Sequence, residues 1–338
     1  GAFPGHADHC CSWWNSEQGD MVPFAAIPFG YYVRPLNEDW HFGLGIYVPF
    51  GVISDYESSF QGRYHGLESE VQVVTLQPTL SYKVNDRVSI GFGPTINRIE
   101  GTLTSAVFTG TGSDGNVDIQ GDDIGYGFNA GVLVDLSDSV ALGVTYHSKV
   151  DYTLEGRTRV SGFPIPVNGR YDAELEVSTP ESVDVSLTYA HDDFWTFYAG
   201  TTWTRWSQFD QLVIENQNAP AIFSTVEEEL NWSDTWAFAF GAAYQITPKV
   251  VLRTGLAFDR SPTNDVDRTV RIPVGNRKIL SLGAGWDATD DLTLDVAYAY
   301  LREDRASVSY EDSLTSPGYS ADYRNSAHGL SAQVTYRY

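Results

Sequence analysis

Residues 236–246 read Trp-Ala-Phe-Ala-Phe-Gly-Ala-Ala-Tyr-Gln-Ile, and this stretch decides the fold class. Every second residue except Ala242 is large and apolar, while the residues between them are small or polar. A period of two places the large side chains on one face of an extended strand. The same alternation runs through residues 182–189 and 292–300, and more loosely through 140–146. The pattern therefore predicts an all-β protein.

Tight polar turns separate these alternating stretches at regular spacing. They are Asn37-Glu38-Asp39, Asn85-Asp86-Arg87, Ser137-Asp138, His191-Asp192-Asp193, Thr247-Pro248-Lys249 and Thr289-Asp290-Asp291. Between them lie pairs of long strands joined by long loops. Short turns at one end and long loops at the other are typical of a transmembrane antiparallel β-barrel of the outer-membrane type.

The composition limits the classes of function. The 338 residues contain no apolar run long enough for a transmembrane helix, but 14% are aromatic and 31 are glycine. A net charge of -23 excludes nucleic acid as a partner. Cys10 and Cys11 lie close to His6, Asp8 and His9, yet their spacing matches no zinc pattern. We therefore expect neither a metal nor a cofactor.

A soluble β-sandwich would show the same alternation, but three features favour the membrane barrel. The strands are long enough for a tilted membrane crossing. The chain ends in the alternating strand Val334-Thr-Tyr-Arg-Tyr338. Aromatic residues gather near strand ends, as interfacial girdles do; they are Trp40, Phe194, Trp195, Trp206, Trp232, Tyr298 and Tyr300.

The strand count predicts the size of the barrel. The turns join twelve strands, the first from about 22 to 36, and residues 325–338 supply a thirteenth. Bacterial barrels have even strand numbers, so we expect fourteen strands, with the first one absent from this chain. Residues 1–21 are then an extracellular loop segment, and residues 22–338 form a single barrel domain. A barrel of this width has a lumen that must be filled or plugged.

Several motifs occur in a characteristic order along the chain. They are Pro49-Phe50-Gly51, Asn85-Asp86-Arg87-Val-Ser89, Gly127-Phe-Asn129-Ala-Gly131, Tyr146-His-Ser148, Gly162-Phe-Pro164-Ile-Pro166, Trp206-Ser-Gln-Phe209, Leu252-Arg-Thr-Gly255-Leu-Ala-Phe258-Asp259-Arg-Ser261-Pro262, Arg271-Ile-Pro273 and Arg277. In this order they resemble the FadL/TodX family of outer-membrane transporters for long-chain fatty acids and other hydrophobic compounds.

The resemblance implies a fourteen-stranded barrel in the outer membrane of a Gram-negative bacterium, in agreement with the strand count. Family members begin with a hatch that plugs the lumen, and we expect that hatch to be absent here. The implied function is uptake of a hydrophobic small molecule, by capture in apolar extracellular loops and lateral release through a gap in the wall. We expect a monomer that contacts outer-membrane lipid and lipopolysaccharide and is not an enzyme.

A lateral gap requires a break in the hydrogen-bond ladder. In the family the break is a kink in the strand that ends in the motif matched by Pro49, Phe50 and Gly51. Pro49 cannot donate a ladder hydrogen bond, and Gly51 permits backbone geometry that other residues resist. A plain strand end is the alternative interpretation. Pro78 in the neighbouring strand predicts a second bulge or the adjoining edge of the same gap.

Further candidates lie in the loops and in the lumen. Apolar loop segments either bind something apolar or pack on one another; the candidates are Phe163, Pro164, Ile165, Pro166, Ile222 and Phe223. Asp259, Arg271 and Arg277 match family positions in the lumen. Charges inside a barrel usually pair, so we expect a structural network first and a substrate relay second.

Head-group recognition departs from the fatty-acid pattern. Positions that are basic in the best-known fatty-acid transporter fall on or near Ser105 and Glu228, although Arg157 or Arg159 could substitute. An acidic rim repels free fatty acids, which keeps neutral aromatics or alkanes open as substrates. An outer-membrane phospholipase with a Ser-His-Asn site is an alternative of another class, but none of His41, His65, His147, His191 and His328 lies in a recognisable nucleophile signature. A passive adhesin or phage receptor is another.

Overall fold

A computed structural model describes residues 21–110, 112–163, 167–313 and 316–338. Its strands are β1 (Gly30–Pro35), β2 (Trp40–Asp55), β3 (Glu68–Asn85), β4 (Val88–Val107), β5 (Gly115–Ser137), β6 (Val140–His147), β7 (Val150–Ser161), β8 (Gly169–Thr179), β9 (Ser182–Ala190), β10 (Trp195–Thr204), β11 (Gln211–Asn216), β12 (Thr225–Glu229), β13 (Thr235–Thr247), β14 (Val250–Asp259), β15 (Arg277–Asp287), β16 (Leu292–Glu303), β17 (Ala306–Tyr310), β18 (Tyr319–Tyr323) and β19 (Ser326–Tyr336). Single 3₁₀ turns span Trp206–Gln208 and Ala221–Phe223. Among the described residues, no helix is long and apolar enough to cross a membrane.

The strands form one antiparallel wall in which chain neighbours are also spatial neighbours. β1 to β5 pair in sequence, and β13 to β16 continue in sequence to β19. We call each pass of the chain from one end of the wall to the other a crossing. In the part of the wall between β5 and β14, four crossings are each interrupted and therefore consist of two strands. These crossings are β6 and β7, β8 and β9, β10 and β11, and β12 and β13. The described part of the chain thus supplies the thirteen crossings that the sequence predicts. This wall is the predicted transmembrane β-barrel, whereas the fourteenth strand stays a prediction.

All the predicted turns are present at one end of the wall. Side-chain acceptors cap them, as turn chemistry requires. The Asn37 Oδ1 accepts hydrogen bonds from the backbone N–H groups of Asp39 and Trp40, at 3.0 and 2.9 Å. The Asp192 Oδ1 likewise accepts from Phe194 and Trp195, at 2.9 and 2.7 Å. We call this end the short-turn end and the opposite one the long-loop end.

The outer face of the wall carries the large residues of the alternating stretches. Phe238 lies directly opposite Phe258, and Phe240 lies opposite Leu256, which in turn lies opposite Leu280. All of them are exposed, Phe240 at 55%. Exposed rings in register over neighbouring strands suit a hydrocarbon solvent rather than water. The large residues of the alternating stretch 236–246 therefore share one face of the strand, as the sequence predicts.

The loops carry their own apolar core at the long-loop end. Tyr56 stacks on Phe60 with ring centroids 4.1 Å apart, and Phe60 meets Tyr319 edge-on at 5.4 Å. The buried cluster also contains Met21, Val270, Ala306, Val308 and Tyr323. β17 and β18 form a separate hairpin that contributes to it. Long loops thus pack into a cap over this end of the lumen.

The first strand is shorter than predicted. A strand over 22–36 was expected, but β1 covers only Gly30–Pro35. Met21 instead belongs to the loop core, where its backbone oxygen accepts a hydrogen bond from the Asp55 N–H at 2.8 Å. Burial of Met21 and Val22 against the cap draws this segment away from the ladder. Residues 1–20, with Cys10 and Cys11, lie outside the described residues.

Candidate functional site

A cavity of about 420 Å³ lies inside the long-loop half of the wall. Its apolar lining comes from the inward residues of neighbouring strands, including Val71, Leu103, Ile119 and Leu154. The interruptions of the divided crossings open onto it too, because Pro180 and Leu230 belong to its lining. Clefts of this size with an apolar lining are typical of small-molecule sites.

One corner of the cavity is aromatic. Trp206 lies at the centre, with its ring centroid 6.1 Å from Phe50, 6.1 Å from Phe209 and 5.0 Å from Trp232. An interfacial girdle was predicted for Trp206 and Trp232, and this prediction is wrong. Both rings line the cavity, because they lie where the divided crossings leave the ladder, with Trp206 in a 3₁₀ turn. Edge-to-face rings of this kind form a rigid apolar surface.

The predicted kink in β2 is a β-bulge at Val48 and Pro49. Tyr47 lies opposite Thr75, but Phe50 lies opposite Val73, so two residues of β2 face one residue of β3. The extra residue changes the parity of the strand. Before the bulge Leu44 and Ile46 face outward, whereas after it the even residues Phe50 and Val52 line the cavity. Pro49 suits this position because it has no N–H to leave unpaired.

The role expected for Gly51 is not confirmed. In the described chain the glycines with positive φ are Gly110, Gly112 and Gly162. A Cβ added at Gly51 would meet only the Val71 carbonyl oxygen, at an ordinary 3.7 Å. The bulge is complete before Gly51, so the backbone there needs no special freedom.

A second irregularity lies between β3 and β4. Leu76 pairs with Ile96 and Leu80 pairs with Phe92, but the three residues between them on each strand are unpaired. Because both pairs share one register, Pro78 faces Pro94, and neither can donate a hydrogen bond. A Cβ at Gly93 would lie 2.6 Å from the Thr79 hydroxyl oxygen, so the strands approach closely at this point. Both ladders of β3 are therefore broken within residues 74–79.

Polar side chains face the lumen next to the broken segment of β3. The Tyr47 hydroxyl donates to the Gln77 amide oxygen at 2.5 Å, and the Asn129 amide donates to the same oxygen at 2.8 Å. One step toward the cavity, the Thr75 hydroxyl donates to Asn97 at 2.6 Å. Thr75 and Asn97 are buried. This set, which we call the polar floor, lies along the same strands as the apolar cavity residues Val73 and Ile99.

Charged residues also belong to the lining of the cavity. Arg271 pairs with Glu228 at 3.4 Å and also donates to the Glu68 carbonyl, the Ser69 hydroxyl and the Thr104 carbonyl, at 3.1, 3.0 and 3.2 Å. Arg271 thereby fixes the loop after β14 to β3 and β4.

Asp259 and Arg277 form a second cluster. The Arg277 guanidinium lies 3.0 Å from Glu303 and 3.6 Å from Asp259. Glu303 also accepts hydrogen bonds from the Gly275 N–H and the Asn325 amide. The expected network of Asp259, Arg271 and Arg277 thus consists of two separate ion-pair clusters that line one cavity.

The predicted capture loops pack on each other rather than around the cavity. Phe163 meets Phe223 edge-on at 5.3 Å, and Phe223 is buried with Val117 and Val160. Ile222 is exposed at 59%. None of these three aromatic or aliphatic side chains is among the described residues that line the cavity. Pro164, Ile165 and Pro166 lie outside the described residues.

The structure separates the head-group candidates. Glu228 lines the cavity, but it is paired with Arg271. Arg157 lies in a polar depression that it shares with Glu70, Glu100 and Asp122, and Arg159, two residues along β7, is on the same face. Those residues alternate with the inward Leu154 and Thr158, so Arg157 and Arg159 face away from the lumen. The expectation that Arg157 or Arg159 takes the place of the basic head-group residues is therefore not supported.

Metal binding has no support in the described part of the chain, where no group of three or more His, Cys, Asp or Glu residues could hold an ion. Sequence reasoning missed the aromatic corner, the polar floor and Pro94. Pro94 alone carried a readable signal, since a proline inside a long alternating strand marks a bulge or a break.

Comparison with known proteins gives a consistent result. A family model described as "Outer membrane protein transport protein (OMPP1/FadL/TodX)" matches residues 6–338. "Outer membrane protein P1" of Haemophilus influenzae is 26% identical, over 91% of this chain and 74% of that protein. "Long-chain fatty acid transport protein" of Escherichia coli K12 is 26% identical, over 83% of this chain and 72% of that protein.

Solved structures resemble this fold closely. A Pseudomonas aeruginosa FadL homologue superimposes with a TM-score of 0.85 at 25% identity, covering 98% of this chain and 83% of that one. The toluene transporter TbuX of Ralstonia pickettii superimposes with a TM-score of 0.67 at 17% identity, covering 92% of this chain and 81% of that one. The second likeness concerns the fold alone.

Proposed function

Because the chain belongs to the outer membrane protein transport protein family (OMPP1/FadL/TodX), we propose that it takes up long-chain fatty acids or similar hydrophobic molecules across the outer membrane. The observation that carries the proposal is the apolar cavity beside a wall segment whose ladders are broken on both sides. The relatives named for fatty-acid transport support the substrate class.

The energetics favour capture in an apolar cavity. Each buried CH₂ group contributes about 0.8 kcal/mol, so a long alkyl chain partitions strongly out of water. A water-filled pore would return the molecule to the solvent that it avoids. The lining of Val71, Leu103, Ile119 and Leu154, with the aromatic corner, offers the chain an apolar environment instead.

Lateral release through the wall completes the proposed route. The β3 segment 74–79 has the bulge on its β2 side and the Pro78–Pro94 break on its β4 side. Outside it, Leu76, Leu80 and Phe92 are exposed and offer an apolar surface to a departing molecule. The polar floor presents hydrogen-bonding groups on the short-turn side of the cavity, which disfavours passage of an apolar molecule straight through the lumen and so favours sideways exit.

A neutral aromatic hydrocarbon or alkane is the second candidate substrate. Arg271 and Arg277 line the cavity, but both are paired with carboxylates, which weakens their attraction for a fatty-acid head group. Contacts with outer-membrane lipid and lipopolysaccharide and a monomeric state remain predictions.

A disulfide staple tests lateral release. In a Cys10→Ser/Cys11→Ser background, Val48→Cys with Val74→Cys would cross the bulge. Val48 and Pro49 together face Val74 across the bulge, and residues that face each other on neighbouring strands lie within disulfide reach. We expect the oxidised staple to stop uptake of labelled oleate by cells and a reductant to restore it, with binding unchanged.

The matched control is Leu256→Cys with Leu280→Cys, a directly paired position in a regular part of the wall. That staple should leave uptake unchanged. Equal inhibition by both staples, or none by the first, would rule out exit at the bulge.

A further inference from the structure

We propose that Arg260 binds the head group of an anionic amphiphile, a carboxylate in the simplest case, whose apolar chain occupies the cavity. The proposal rests on the proposed function and names a residue that selects among hydrophobic substrates. Arg260 follows the last residue of β14 and belongs to the lining of the cavity.

The other cations of the cavity are already engaged. Its basic lining residues, among those that the structure describes, are Arg260, Arg271 and Arg277. Arg271 is 12% exposed at its side chain and holds Glu228 together with oxygens of β3 and β4. Arg277 is shared between Glu303 and Asp259. A substrate carboxylate that approached either guanidinium would have to share it with a protein carboxylate already in place.

Arg260 differs from both. Within residues 21–110, 112–163, 167–313 and 316–338, its guanidinium makes neither an ion pair nor a hydrogen bond, and the residue is exposed. An exposed guanidinium stays hydrated until a ligand arrives, so binding an anion there requires no burial of an unpaired charge.

The backbone around Arg260 is held on both sides. Asp259 pairs in the ladder with Arg277, and the Ser261 N–H donates to the Asn276 side chain at 3.0 Å. The Ser261 hydroxyl also donates to the Val274 carbonyl at 3.1 Å. A fixed backbone with an uncommitted side chain places one flexible cation at the edge of an apolar cavity.

The chemistry of the guanidinium determines the ligand. Its planar fork donates two parallel hydrogen bonds to a carboxylate, a geometry that neither an alcohol nor a hydrocarbon can accept. If the alkyl chain lies in the cavity and its carboxylate at Arg260, the apolar part is kept away from water while the charged group stays in contact with water. The site therefore favours an alkyl carboxylate over the matching alcohol, whereas the paired arginines give no such preference.

The test is displacement of a fluorescent long-chain fatty acid from the detergent-purified protein by oleate, oleyl alcohol and toluene. We expect Arg260→Gln to weaken competition by oleate about three- to ten-fold at low salt, as for a partly exposed charge-assisted hydrogen bond. Competition by oleyl alcohol should not change. The oleate preference of the unsubstituted protein should shrink as salt is raised.

Two variants make the test specific. Arg260→Glu should weaken oleate further while leaving the alcohol unaffected, because it replaces attraction by repulsion. Arg302→Gln is the matched control, since Arg302 is an exposed arginine near the long-loop end of β16 that lies outside the cavity lining. It should change neither competitor. Circular dichroism would verify that each variant keeps the strand content of the original.

The outcomes separate this proposal from the function beneath it. Unchanged oleate competition in Arg260→Gln, or a parallel loss for oleate and alcohol, would overturn the role of Arg260 while hydrophobic binding stands. A probe that does not bind the unsubstituted protein, or that none of the three competitors displaces, would contradict the proposed function itself.

Discussion

Two parts of the wall share one outer face but differ in their ladders. β14, β15, β16 and β19 pair without any shift of register, and every residue of β14 has a partner on β15. β2, β3 and β4 present the same exposed apolar residues to the outside, yet they contain the bulge at Pro49 and the break at Pro78 and Pro94. The comparison teaches that alternation holds the chain in the membrane, while departures from a regular ladder coincide with the candidate site.

The lumen differs in the same way. Beside the regular wall the interior is polar, and Arg253 pairs with Asp295 at 2.6 Å in the short-turn half. Beside the irregular wall the interior is apolar on the long-loop side of the polar floor, and there it is empty enough to form the cavity. Arg271 joins that irregular wall to the cap. Variants of Arg271 and Arg253 therefore test whether the two parts of the wall depend differently on their ion pairs.

The largest expected effect is on stability. Arg271→Met leaves Glu228 without its partner and removes donors from three oxygens of β3 and β4. We expect a loss of about 2–3 kcal/mol in the free energy of unfolding, somewhat below the cost of breaking a fully buried pair. Arg253→Met breaks a half-exposed pair and should cost less than about 1 kcal/mol.

Denaturant unfolding in detergent, followed by tryptophan fluorescence, would measure both values. The double variant Arg271→Met/Glu228→Gln should recover part of the loss, because it removes the unpaired charge. Equal losses in the free energy of unfolding for Arg271→Met and Arg253→Met would show that the contacts of Arg271 stabilise the protein no more than the Arg253–Asp295 pair does.

The next effect is on uptake. Deleting Pro49 would place one residue of β2 opposite Val74 and make the ladder regular, without changing which residues face inward after the bulge. We expect uptake of labelled oleate to fall by roughly tenfold, about 1.4 kcal/mol in the barrier to release. Binding to the purified protein should stay the same. Undiminished uptake with a regular ladder would remove the bulge from the mechanism.

A smaller effect should follow from repairing the second break. Pro78→Ala/Pro94→Ala restores two N–H donors, and each new ladder hydrogen bond contributes about 0.5–1.5 kcal/mol. The double variant should therefore unfold at higher denaturant concentration and take up oleate more slowly than the original. Pro248→Ala, in the exposed tight turn between β13 and β14 and outside the cavity lining, is the control. A double variant less stable than the original would show that the gap is fixed by something besides the prolines.

The smallest effect concerns the hairpin β17–β18, which connects the last two strands of the regular wall. Arg305 and the Ser307 hydroxyl hydrogen-bond Asp322 and hold the pKa of its carboxyl below the ordinary range. A lowered pKa stabilises the folded form above the ordinary carboxyl pKa, and that contribution is lost as the pH falls through the lowered value. We expect a loss below about 1 kcal/mol under about pH 4.

Hydrogen exchange in β17 and β18 should accelerate over that range. In Asp322→Asn the acceleration should already be present at neutral pH and should no longer depend on this titration. A hairpin whose protection is the same at both pH values in the unmodified protein would contradict the assignment.

The regular wall was predictable from the sequence because its signal is local. Alternation in residues 236–246 and polar residues at the turns depend only on near neighbours. The bulge was predictable at Pro49 for the same reason, since proline lacks a donor wherever it lies. The expectation for Gly51 failed because a glycine permits many conformations and requires none.

The cavity was less predictable because its members meet only through register. The sequence around Trp206 is typical of a girdle residue, but the interruption between β10 and β11 places its ring in the cavity lining. Pro78 and Pro94 are sixteen positions apart in sequence number and become opposed only through the pairing of β3 with β4. The pairing of Arg271 with Glu228, and the lack of one for Arg260, likewise depend on how loops fold over the lumen.

The extra residue at Val48 and Pro49 reverses, along β2, which of two successive residues faces the lumen. On one side odd positions meet the lumen, and on the other side even positions do. If a segment of β2 were transplanted into another barrel, its side chains would keep their inward and outward directions only if the bulge were transplanted too. The same holds for descent: a single codon inserted or lost elsewhere in this strand would exchange the lipid-facing and lumen-facing positions of every residue up to the next irregularity, whereas loss of Pro49 itself would only remove the bulge.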